Sequence, residues 1–341
     1  MIDFADSTNK LGSRPKLLRA IKQNAYRFIT YPDFTNKKIY RLITKHFGIK
    51  EEHVALGVGS TQILFDMPIF LNYKRAVIVV PTFWEYVTFN KLFRRKIKKI
   101  HFSSANDFAP NYALIHKELR PGDCLFLANV NSPTSVLYEK IELLRLLDAH
   151  PNVQFVVDET YLMFRSDAKY LTLTAEAPKR TNLIVLTSFS KFFSLPGIRV
   201  GAFVAHRSVV KNYNTYFHIP YSLGSLSQVA LTHQLEDLPN ILRSRSFYKK
   251  ERAEVYAIIE KKFAGRLHAI KPDGNFILCR LLTGQTSKTI VAALRKRGLI
   301  IRGGHQLEYL LPEQWIRFSF LSKKEDRLLL RTLDGVLKHS K

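Results

Sequence analysis

Short apolar runs alternate with helix-period segments through the middle of the chain, and this alternation constrains the fold more than any other feature. Amphipathic stretches at residues 138–147 and 86–93 lie between runs that are rich in β-branched and aromatic residues. Strands that are joined through helices pair in parallel, so the pattern predicts an α/β domain whose largely parallel central sheet is sandwiched by helices. The predicted strands are residues 76–80, 124–128, 155–157, 183–186 and 200–204.

The pattern changes after residue 225, where helices and short strands follow one another less regularly. This texture is typical of a smaller α+β domain. We therefore expect an N-terminal arm with part of the small domain at 1–35, a large domain at 36–225 and a small C-terminal domain at 226–341. The elements predicted in the last region are a charged helix at 241–263, a strand at 275–282, a helix at 287–297, strands at 299–302 and 315–320, and a final helix.

The composition is that of a globular protein, with 341 residues of which 46% are hydrophobic and 24% charged. No run of about 18 apolar residues occurs, so we expect no membrane span. The first residues lack the layout of a signal peptide, which favours a cytoplasmic protein. The two cysteines, Cys124 and Cys279, lie in apolar runs and are predicted to be buried thiols, with neither a disulfide nor a metal site.

The net charge of +25 is unusual, and one dense basic cluster lies at residues 94–99. The cluster follows an apolar helical stretch and is expected to be a solvated loop. A nucleic-acid binder would carry such a charge, but the chain has no zinc-ligand set and no aromatic RNA-binding signature. A basic surface that attracts small anionic substrates is the favoured interpretation, without a specific nucleic-acid partner.

Residues 187–201 contain the most informative group of polar side chains. Ser188, Ser190 and Lys191 follow the apolar run 182–186, and Arg199 lies eight residues beyond the lysine. An amine can attack a carbonyl, while hydroxyls and a guanidinium can hold an anion. Pyridoxal phosphate offers both groups, an aldehyde and a phosphate. The alternative is an exposed lysine and arginine beside an ordinary strand end.

Asp158 comes directly after the apolar residues 154–157. A carboxylate at the end of a buried strand is costly unless a cation or a hydrogen-bond donor pairs with it. A protonated pyridine nitrogen is such a partner, and the carboxylate would strengthen the ring as an electron sink. A helix N-cap is the alternative interpretation.

Three further turns adjoin predicted strands or helices. Glycines ahead of the helical stretch 63–70 leave backbone N–H groups free for a phosphate, and an aromatic side chain after the strand 76–80 can stack on a flat ring. Polar side chains after the strand 124–128 can bind a ring hydroxyl or a carboxylate. Each turn alone is also compatible with an ordinary surface turn. The candidate residues are Ser60 and Thr61, then Phe83, then Asn131 and Ser132.

Taken in chain order, these motifs resemble the fold-type-I pyridoxal phosphate (PLP) enzymes of the class I/II aminotransferase family. The resemblance extends from Asp6-Ser7-Thr8-Asn9 to Trp315-Ile316-Arg317-Phe318 and is most specific in the spacing Ser-x-Ser-Lys-x7-Arg-x-Gly. The branch that it resembles holds histidinol-phosphate aminotransferase and threonine-phosphate decarboxylase. The resemblance implies a fold-type-I architecture with PLP as the cofactor.

The resemblance also implies roles for individual residues. Lys191 is expected to form the Schiff base with PLP, Asp158 to pair with the pyridinium nitrogen, and Tyr161 to hydrogen-bond the ring 3′-oxygen. The cofactor phosphate is expected to be bound by Ser188, Ser190, Arg199, Ser60 and Thr61, with Phe83 stacked on the ring.

Two further residues are assigned through the resemblance. Tyr31 matches a tyrosine that reaches the cofactor phosphate of the neighbouring subunit, which implies a homodimer with composite active sites. Arg317 matches the arginine that binds the substrate carboxylate. Candidates for holding a substrate phosphate or another distal group are Arg14, His218, Tyr221 and Arg302.

The chain departs from the family pattern at the substrate end. Ser132-Pro133-Thr134-Ser135 stands where the family usually has Asn-Pro-Thr-Gly, so either Asn131 or Ser132 takes the part of the ring-hydroxyl asparagine. The residues after Arg317 lack the usual glycine, and the N-terminal arm is short.

The resemblance leaves three hypotheses about function. The first is an aminotransferase for an amino acid or a phosphorylated, amino-acid-like substrate. The second is a threonine-phosphate decarboxylase-like enzyme that releases carbon dioxide. The third is an inactive binding or regulatory protein on the same fold.

Overall fold

The computed structural model describes residues 1–12, 14–217, 221–310 and 313–338. Helices and strands there follow the predicted alternation, with boundaries that shift by a few residues. The strands are β1 (Ile2–Asp3), β2 (Val54–Gly57), β3 (Arg75–Val80), β4 (Lys96–His101), β5 (Asp123–Ala128), β6 (Gln154–Asp158), β7 (Leu183–Ser188), β8 (Gly201–Ala205), β9 (Leu267–Ala269), β10 (Phe276–Leu281), β11 (Leu299–Ile300), β12 (Arg302–Gly303) and β13 (Trp315–Ser319).

The helices cover both faces of the larger sheet and one side of the smaller one. They are α1 (Arg14–Gln23), α2 (Lys37–Phe47), α3 (Gly59–Phe70), α4 (Glu85–Leu92), α5 (Tyr112–Glu118), α6 (Lys140–Ala149), α7 (Ala168–Leu171), α8 (Arg207–Phe217), α9 (Ser225–Glu236), α10 (Leu238–Lys262), α11 (Ser287–Lys296) and α12 (Lys323–Lys338). None of the helices in these described ranges combines the length and apolar character needed to cross a bilayer.

The central sheet has the order β2-β8-β7-β6-β5-β3-β4. Strands β3 to β7 pair in parallel, and β8 is antiparallel to both β7 and β2. Every residue of β5 and β7 is buried, because helices cover this sheet on both faces. The α/β prediction is therefore confirmed, and the sheet gains an antiparallel edge that was not predicted.

The parallel register aligns the carboxyl ends of the central strands. Ala128 of β5 lies opposite Asp158 of β6, and Asp158 lies opposite Leu186 of β7. Side chains that follow these three strands therefore converge on one edge of the sheet, which is where open α/β sheets bind their ligands.

A smaller antiparallel sheet, of order β12-β13-β10-β9, is formed by the C-terminal region. The predicted strand at 299–302 is wrong as a single element. Its first half, β11, pairs with β1, whereas β12 pairs with β13. The beginning of the chain is thus joined to its C-terminal region, and the predicted domain boundaries after residues 35 and 225 stay predictions.

The expected loop at residues 94–99 is also wrong, since most of it forms β4 at the edge of the central sheet. Arg95 donates hydrogen bonds to the carbonyls of Pro68 and Tyr73. Lys98 pairs with Glu118 at 2.7 Å, and Lys99 lies over the ring of Tyr309. Three of the basic side chains of the cluster therefore have partners within the protein. Lysines on an edge strand also discourage pairing with a strand of another chain.

Both cysteines are fully buried and free, as the apolar runs predicted. Burial raises the pKa of the Cys124 and Cys279 thiols well above its ordinary value. A buried, protonated thiol is unreactive. In the described ranges no group of three or more histidine, cysteine or acidic side chains is placed to hold a metal ion.

Two buried carboxyl groups meet where α12 packs on α10. Glu251 and Asp326 are each 3% exposed, and Glu251 is paired with Arg327 at 2.7 Å. Burial, reinforced by the Glu251 carboxylate, raises the pKa of Asp326 to about 8. The Asp326 carboxyl titrates near pH 4 in the unfolded chain and near pH 8 in the folded protein. The free energy of unfolding is therefore highest while Asp326 is protonated in both states, and it falls as the pH rises from about 4 to about 8.

Asp326→Asn is therefore expected to stabilise the protein in alkaline solution. Asparagine keeps an acceptor for the Leu321 N–H, which Asp326 Oδ1 binds at 2.9 Å, and removes the buried charge. Urea unfolding at pH 5 and pH 9 should show a gain of about 1–2 kcal/mol for the variant at pH 9 and a smaller one at pH 5. Equal pH dependence of the two proteins would contradict this assignment.

Candidate active site

A cavity of about 540 Å³ opens at the carboxyl ends of β5, β6 and β7. It brings together most of the side chains that the sequence singled out, although they come from distant parts of the chain. The predicted residues that line it are Ser60, Thr61, Phe83, Ser132, Asp158, Tyr161, Ser188, Ser190, Lys191, Arg199, Arg302 and Arg317.

One end of the cavity is the start of α3, which follows β2 directly. Gly59 has a φ of +82°, and a Cβ atom on Gly201 would lie only 2.3 Å from the backbone nitrogen of Ser60. Glycine at both positions therefore lets β8 pass against the first turn of the helix. The first N–H groups of α3, near Ser60 and Thr61, have no partner within the helix and favour an anion.

Arg199 adds a positive charge to this end of the cavity. Its Nη1 donates to the Pro196 carbonyl at 3.0 Å and lies 3.4 Å from Ser190 Oγ. Ser188 Oγ accepts a hydrogen bond from the backbone N–H of Ser190, which orders the two serines. A guanidinium, hydroxyls and a helix N-terminus together fit a phosphate group.

Asp158 lies at the floor of the cavity and is 8% exposed. Its carboxylate accepts hydrogen bonds from the Tyr86 hydroxyl at 3.1 Å and the Thr160 N–H at 2.9 Å. No cationic side chain of the described residues pairs with it, and burial raises its pKa. The hydroxyl Oγ1 of Thr160, which also lines the cavity, is buried without a hydrogen-bond partner. This floor fits a ligand that brings a positive charge, such as a pyridinium nitrogen.

Lys191 lies just after β7 with 31% of its side chain exposed. Its Nζ lies 3.7 Å from Oδ1 of Asp6, a residue that the sequence analysis gave no role. Burial opposes ionisation of Asp6, but the Thr8 hydroxyl and the ammonium groups of Lys191 and Lys10 outweigh it and lower the pKa of the carboxyl. Asp6 begins the stretch at which the family resemblance starts, but the resemblance assigns it no role, because its approach to Lys191 depends on the tertiary path of residues 2–10.

The opposite end of the cavity carries two arginines. Arg317 is 7% exposed, and its Nη1 and Nη2 donate to Ser132 Oγ at 3.2 Å and to the Ala5 carbonyl at 3.1 Å. Arg302 lies directly opposite Arg317 on β12, with its Nε 3.5 Å from the same carbonyl.

Neither guanidinium at this end forms an ion pair with a carboxylate of the described residues, and the Nε of Arg317 has no hydrogen-bond partner. Burial lowers the pKa of Arg317 to about 10. The positive charges of Arg302 and Arg317, opposite each other on neighbouring strands, repel unless an anion lies between them. This end of the cavity therefore fits an acidic group of a ligand.

Of the remaining predicted residues, Ser132 and Tyr161 line the cavity and Asn131 does not. Asn131 does not line the cavity, because its side chain bonds Pro81, Thr134 and Thr82 and stabilises the turn. Ser132 lines the cavity instead, and which of the two residues binds the ring hydroxyl stays a prediction. Tyr161 packs its ring edge-on against Phe276 at 5.0 Å.

Three candidates for a distal group lie apart from the cavity or beyond what the structure describes. Tyr221 is 47% exposed, and its ring centroid lies 5.1 Å from that of Tyr31, the 85% exposed tyrosine that was assigned to the neighbouring subunit's cofactor; neither of them lines the cavity. His218 and the side chain of Arg14 lie outside the described residues. Of the four distal candidates, only Arg302 lines the cavity in the described part of the chain.

The chain matches the family model for aminotransferases of class I and II over residues 1–333. It is 30% identical to a histidinol-phosphate aminotransferase of Dehalococcoides mccartyi, covering 99% of this chain and 89% of that protein. The solved histidinol-phosphate aminotransferase of Clostridium acetobutylicum superposes with a TM-score of 0.90 at 23% identity, over 99% of both chains. The L-threonine-O-3-phosphate decarboxylase of Porphyromonas gingivalis superposes with a TM-score of 0.85 at 20% identity, over 99% of this chain and 100% of that one.

The two superpositions confirm the fold-type-I architecture. The family match indicates that PLP is the cofactor. The cavity end at α3 and Arg199, the buried carboxylate and the lysine described above are compatible with PLP, the cofactor of these enzymes. The chain belongs to the class I and II aminotransferase family.

Proposed function

We propose that the protein is a PLP-dependent aminotransferase for an amino acid or a phosphorylated, amino-acid-like substrate, similar to histidinol-phosphate aminotransferase. The observation that carries this proposal is the composition of one cavity. Lys191 and Asp158 lie between an anion-binding end at α3 and a second anion-binding end at Arg302 and Arg317. A cofactor phosphate and an acidic substrate group would occupy the two ends.

The cofactor, when bound, supplies an aldehyde for the amine and a protonated ring that withdraws electrons from the substrate Cα. Asp158 would hold the protonated ring nitrogen, and Tyr161 would hydrogen-bond the ring 3′-oxygen. Lys191 Nζ would hold the cofactor through its aldehyde carbon and, when free, would serve as the acid and base that carries the proton of the substrate Cα.

The other polar side chains hold the two anionic groups. Ser60, Thr61, Ser188, Ser190 and Arg199 bind the cofactor phosphate, and Phe83 lies against the ring.

At the other end Arg317 binds the substrate carboxylate as a bidentate partner, and Ser132 orients its guanidinium. Arg302 adds a second charge for a distal acidic group such as a phosphate. The net charge of +25 also favours the approach of anionic substrates.

The experiment that tests this proposal is a single turnover of the PLP-loaded protein with glutamate, with histidinol phosphate and with O-phosphothreonine. Absorbance would follow the cofactor while mass spectrometry identified the products. Formation of pyridoxamine phosphate with release of a carbonyl product would support the aminotransferase. A protein that binds no PLP would contradict it and leave the inactive binding protein.

Decarboxylation is the second candidate, because residues 191–199 and 81–86 look like those of the threonine-phosphate decarboxylase branch. Both reactions need the same lysine and the same buried carboxylate. The outcome depends on which bond of the substrate Cα the site orients for cleavage, and Arg317 and Ser132 would set that orientation. Release of carbon dioxide and an amine from O-phosphothreonine would favour this candidate.

Arg317→Ala is expected to lower kcat/KM for glutamate by about 10²-fold or more while PLP stays bound. The lost bidentate contact removes the fixed position of the carboxylate, and the buried site offers no water shell in exchange. Steady-state kinetics and cofactor absorbance measure both effects. Arg317→Lys, which keeps the charge but not the planar fork, should recover only part of the rate, and unaltered kinetics in both variants would contradict the role.

We also propose that the enzyme is a cytoplasmic homodimer with composite sites. Phe28, Ile29 and Tyr31 are each more than 80% exposed in the segment between α1 and α2. Exposed aromatic and aliphatic side chains in one segment suit burial against a second copy of the chain. Two free, buried cysteines are compatible with a reducing compartment.

Tyr31→Phe is expected to weaken PLP binding about tenfold if the hydroxyl donates to the phosphate of the partner's cofactor. Equilibrium dialysis of the loaded protein measures retention, and light scattering measures the dimer. Tyr26→Phe, a matched change in the same segment, should leave retention unaltered. Equal retention in both variants would contradict the contact across subunits.

A further inference from the structure

The N-terminal segment, residues 2–10, forms one wall of the active-site cavity. Asp3, Ala5, Asp6 and Ser7 line the cavity beside Lys191 and Arg317. Four backbone hydrogen bonds to distant residues fix the path of this segment, and two of them lie nearest to Asp6 on either side. The carbonyl of Phe4, which is fully buried, accepts from the Ser319 N–H at 2.9 Å, and the N–H of Asn9 donates to the Lys191 carbonyl at 2.9 Å. The segment therefore holds Asp6 between two anchored points.

The Asp6 carboxylate is oriented by its own segment toward Lys191. Oδ1 accepts the Thr8 N–H at 3.1 Å and lies 3.7 Å from Lys191 Nζ. Oδ2 accepts the Thr8 hydroxyl at 2.7 Å and pairs with Lys10 at 3.2 Å.

Two other charged groups face this part of the segment. They are Arg317 of β13 and Arg302 of β12, both directed to the neighbouring Ala5 carbonyl. Among the described residues Asp6 is the one carboxylate that pairs with Lys191.

We propose that Asp6 is a positioning residue that holds the Lys191 nitrogen in its positively charged form, both as the free amine and when the nitrogen is joined to PLP. The inference rests on the proposed role of Lys191. An ammonium joined to an aldehyde gives a protonated Schiff base and one water, so the nitrogen is positively charged before the bond forms and again after it has formed. A carboxylate 3.7 Å from Lys191 Nζ stabilises the charge in both of these states.

The proposal has two measurable consequences. An amine attacks an aldehyde only after losing its proton, so the Asp6 ion pair slows the loading of PLP onto the apoprotein near neutral pH. Once PLP is attached, the same ion pair holds the proton on the Schiff base up to a higher pH. Removing the charge of Asp6 should therefore speed loading and shift the spectral titration toward lower pH.

The experiment compares the full-length wild-type protein with Asp6→Asn. Loading of PLP onto the apoprotein is followed by absorbance between pH 6 and 9, and the loaded protein is then titrated over a wide pH range. We expect loading at pH 7 to become about three to ten times faster, and the pH of the spectral change to fall by about 1 unit. Asp6→Glu, which restores the charge, should move both quantities back toward wild type.

Asp3→Asn is the matched control. Asp3 lies on the same cavity wall and carries the same charge, but it has no ion pair with Lys191. Its Oδ1 accepts the N–H groups of Ala5 at 2.8 Å and of Asp6 at 3.2 Å, and an asparagine oxygen can still accept both. This variant should load and titrate like the wild type. Asparagine at position 6 retains an acceptor for the Thr8 N–H, and Asp6→Ser, with a short acceptor of its own, gives the same test if Asp6→Asn does not fold.

Two results would overturn the role of Asp6. One is a loading rate and titration in Asp6→Asn equal to those of wild type, and the other is an equal shift in Asp3→Asn, which would mark a general effect of charge. A wild-type protein that never gains Schiff-base absorbance would instead overturn the assignment of Lys191, so the two failures are distinguishable.

Discussion

Replacing Lys191 with alanine is expected to abolish covalent attachment of PLP and to lower turnover by about 10³-fold or more. No other lysine lines the cavity in the described part of the chain, so no second amine can take over the proton between Cα and C4′. Borohydride reduction followed by mass spectrometry measures attachment, and a single turnover with glutamate measures the reaction. The side chain is partly exposed, and the fold should tolerate its loss.

Lys10→Ala is the control for this variant. Lys10 pairs with the same Asp6 carboxylate at 3.2 Å but does not line the cavity. It should retain covalent PLP and near-normal turnover. Attachment that persists in Lys191→Ala would show that another nitrogen holds the cofactor and would refute the assignment.

Asp158→Asn is expected to separate activity from stability. The amide oxygen can still accept the Thr160 N–H, and the amide NH2 can donate to the Tyr86 hydroxyl. The neutral amide cannot hold a proton on the ring nitrogen, so turnover should fall by about 10²–10³-fold. Covalent PLP should remain, because Lys191 is unaltered. Kinetics and absorbance of the purified variant measure both properties.

The same variant is expected to stabilise the apoprotein in neutral solution. Burial raises the pKa of the Asp158 carboxyl in the folded apoprotein. At a pH above the ordinary carboxyl pKa the unfolded chain is ionised at Asp158, whereas the fold disfavours the ionised form, so the free energy of unfolding is lowered. This carboxyl therefore costs stability that asparagine restores. Urea unfolding of the apoproteins should favour Asp158→Asn by about 1 kcal/mol or more at pH 7. A large loss of stability would show that the carboxylate is needed for the fold.

The parallel part of the sheet could be predicted from the sequence, whereas the antiparallel edge and several side-chain positions could not. Parallel strands must align their carboxyl ends, so the convergence of Ser132, Asp158 and Ser188 follows once residues 124–128, 155–157 and 183–186 are recognised as strands. The pairing of β2 with β8 could not be predicted in this way. It joins Val54 to Val204 without a turn motif between them.

The direction in which individual side chains of a turn point could not be predicted either. Asn131 and Ser132 are neighbours in the same turn, and only the tertiary contacts of Asn131 with Pro81 and Thr82 decide which side chain faces the cavity. Asp6 lies in a segment whose local sequence is that of an ordinary polar turn. Its place opposite Lys191 depends on hydrogen bonds to residues far along the chain.

The parallel pairing of β1 with β11 has a consequence for biosynthesis. Ile2 lies opposite Leu299, and the Phe4 carbonyl accepts from the Ser319 N–H, so residues 2–4 can take their places only after residues 299 and 319 have been synthesised. The sheet edge with Asp158 and Lys191 can form earlier, because its strands end by residue 205. A nascent chain would therefore acquire the cavity end at α3 and Arg199 first, and the wall that carries Asp6 and contacts Arg317 only after residues 299–319 have left the ribosome.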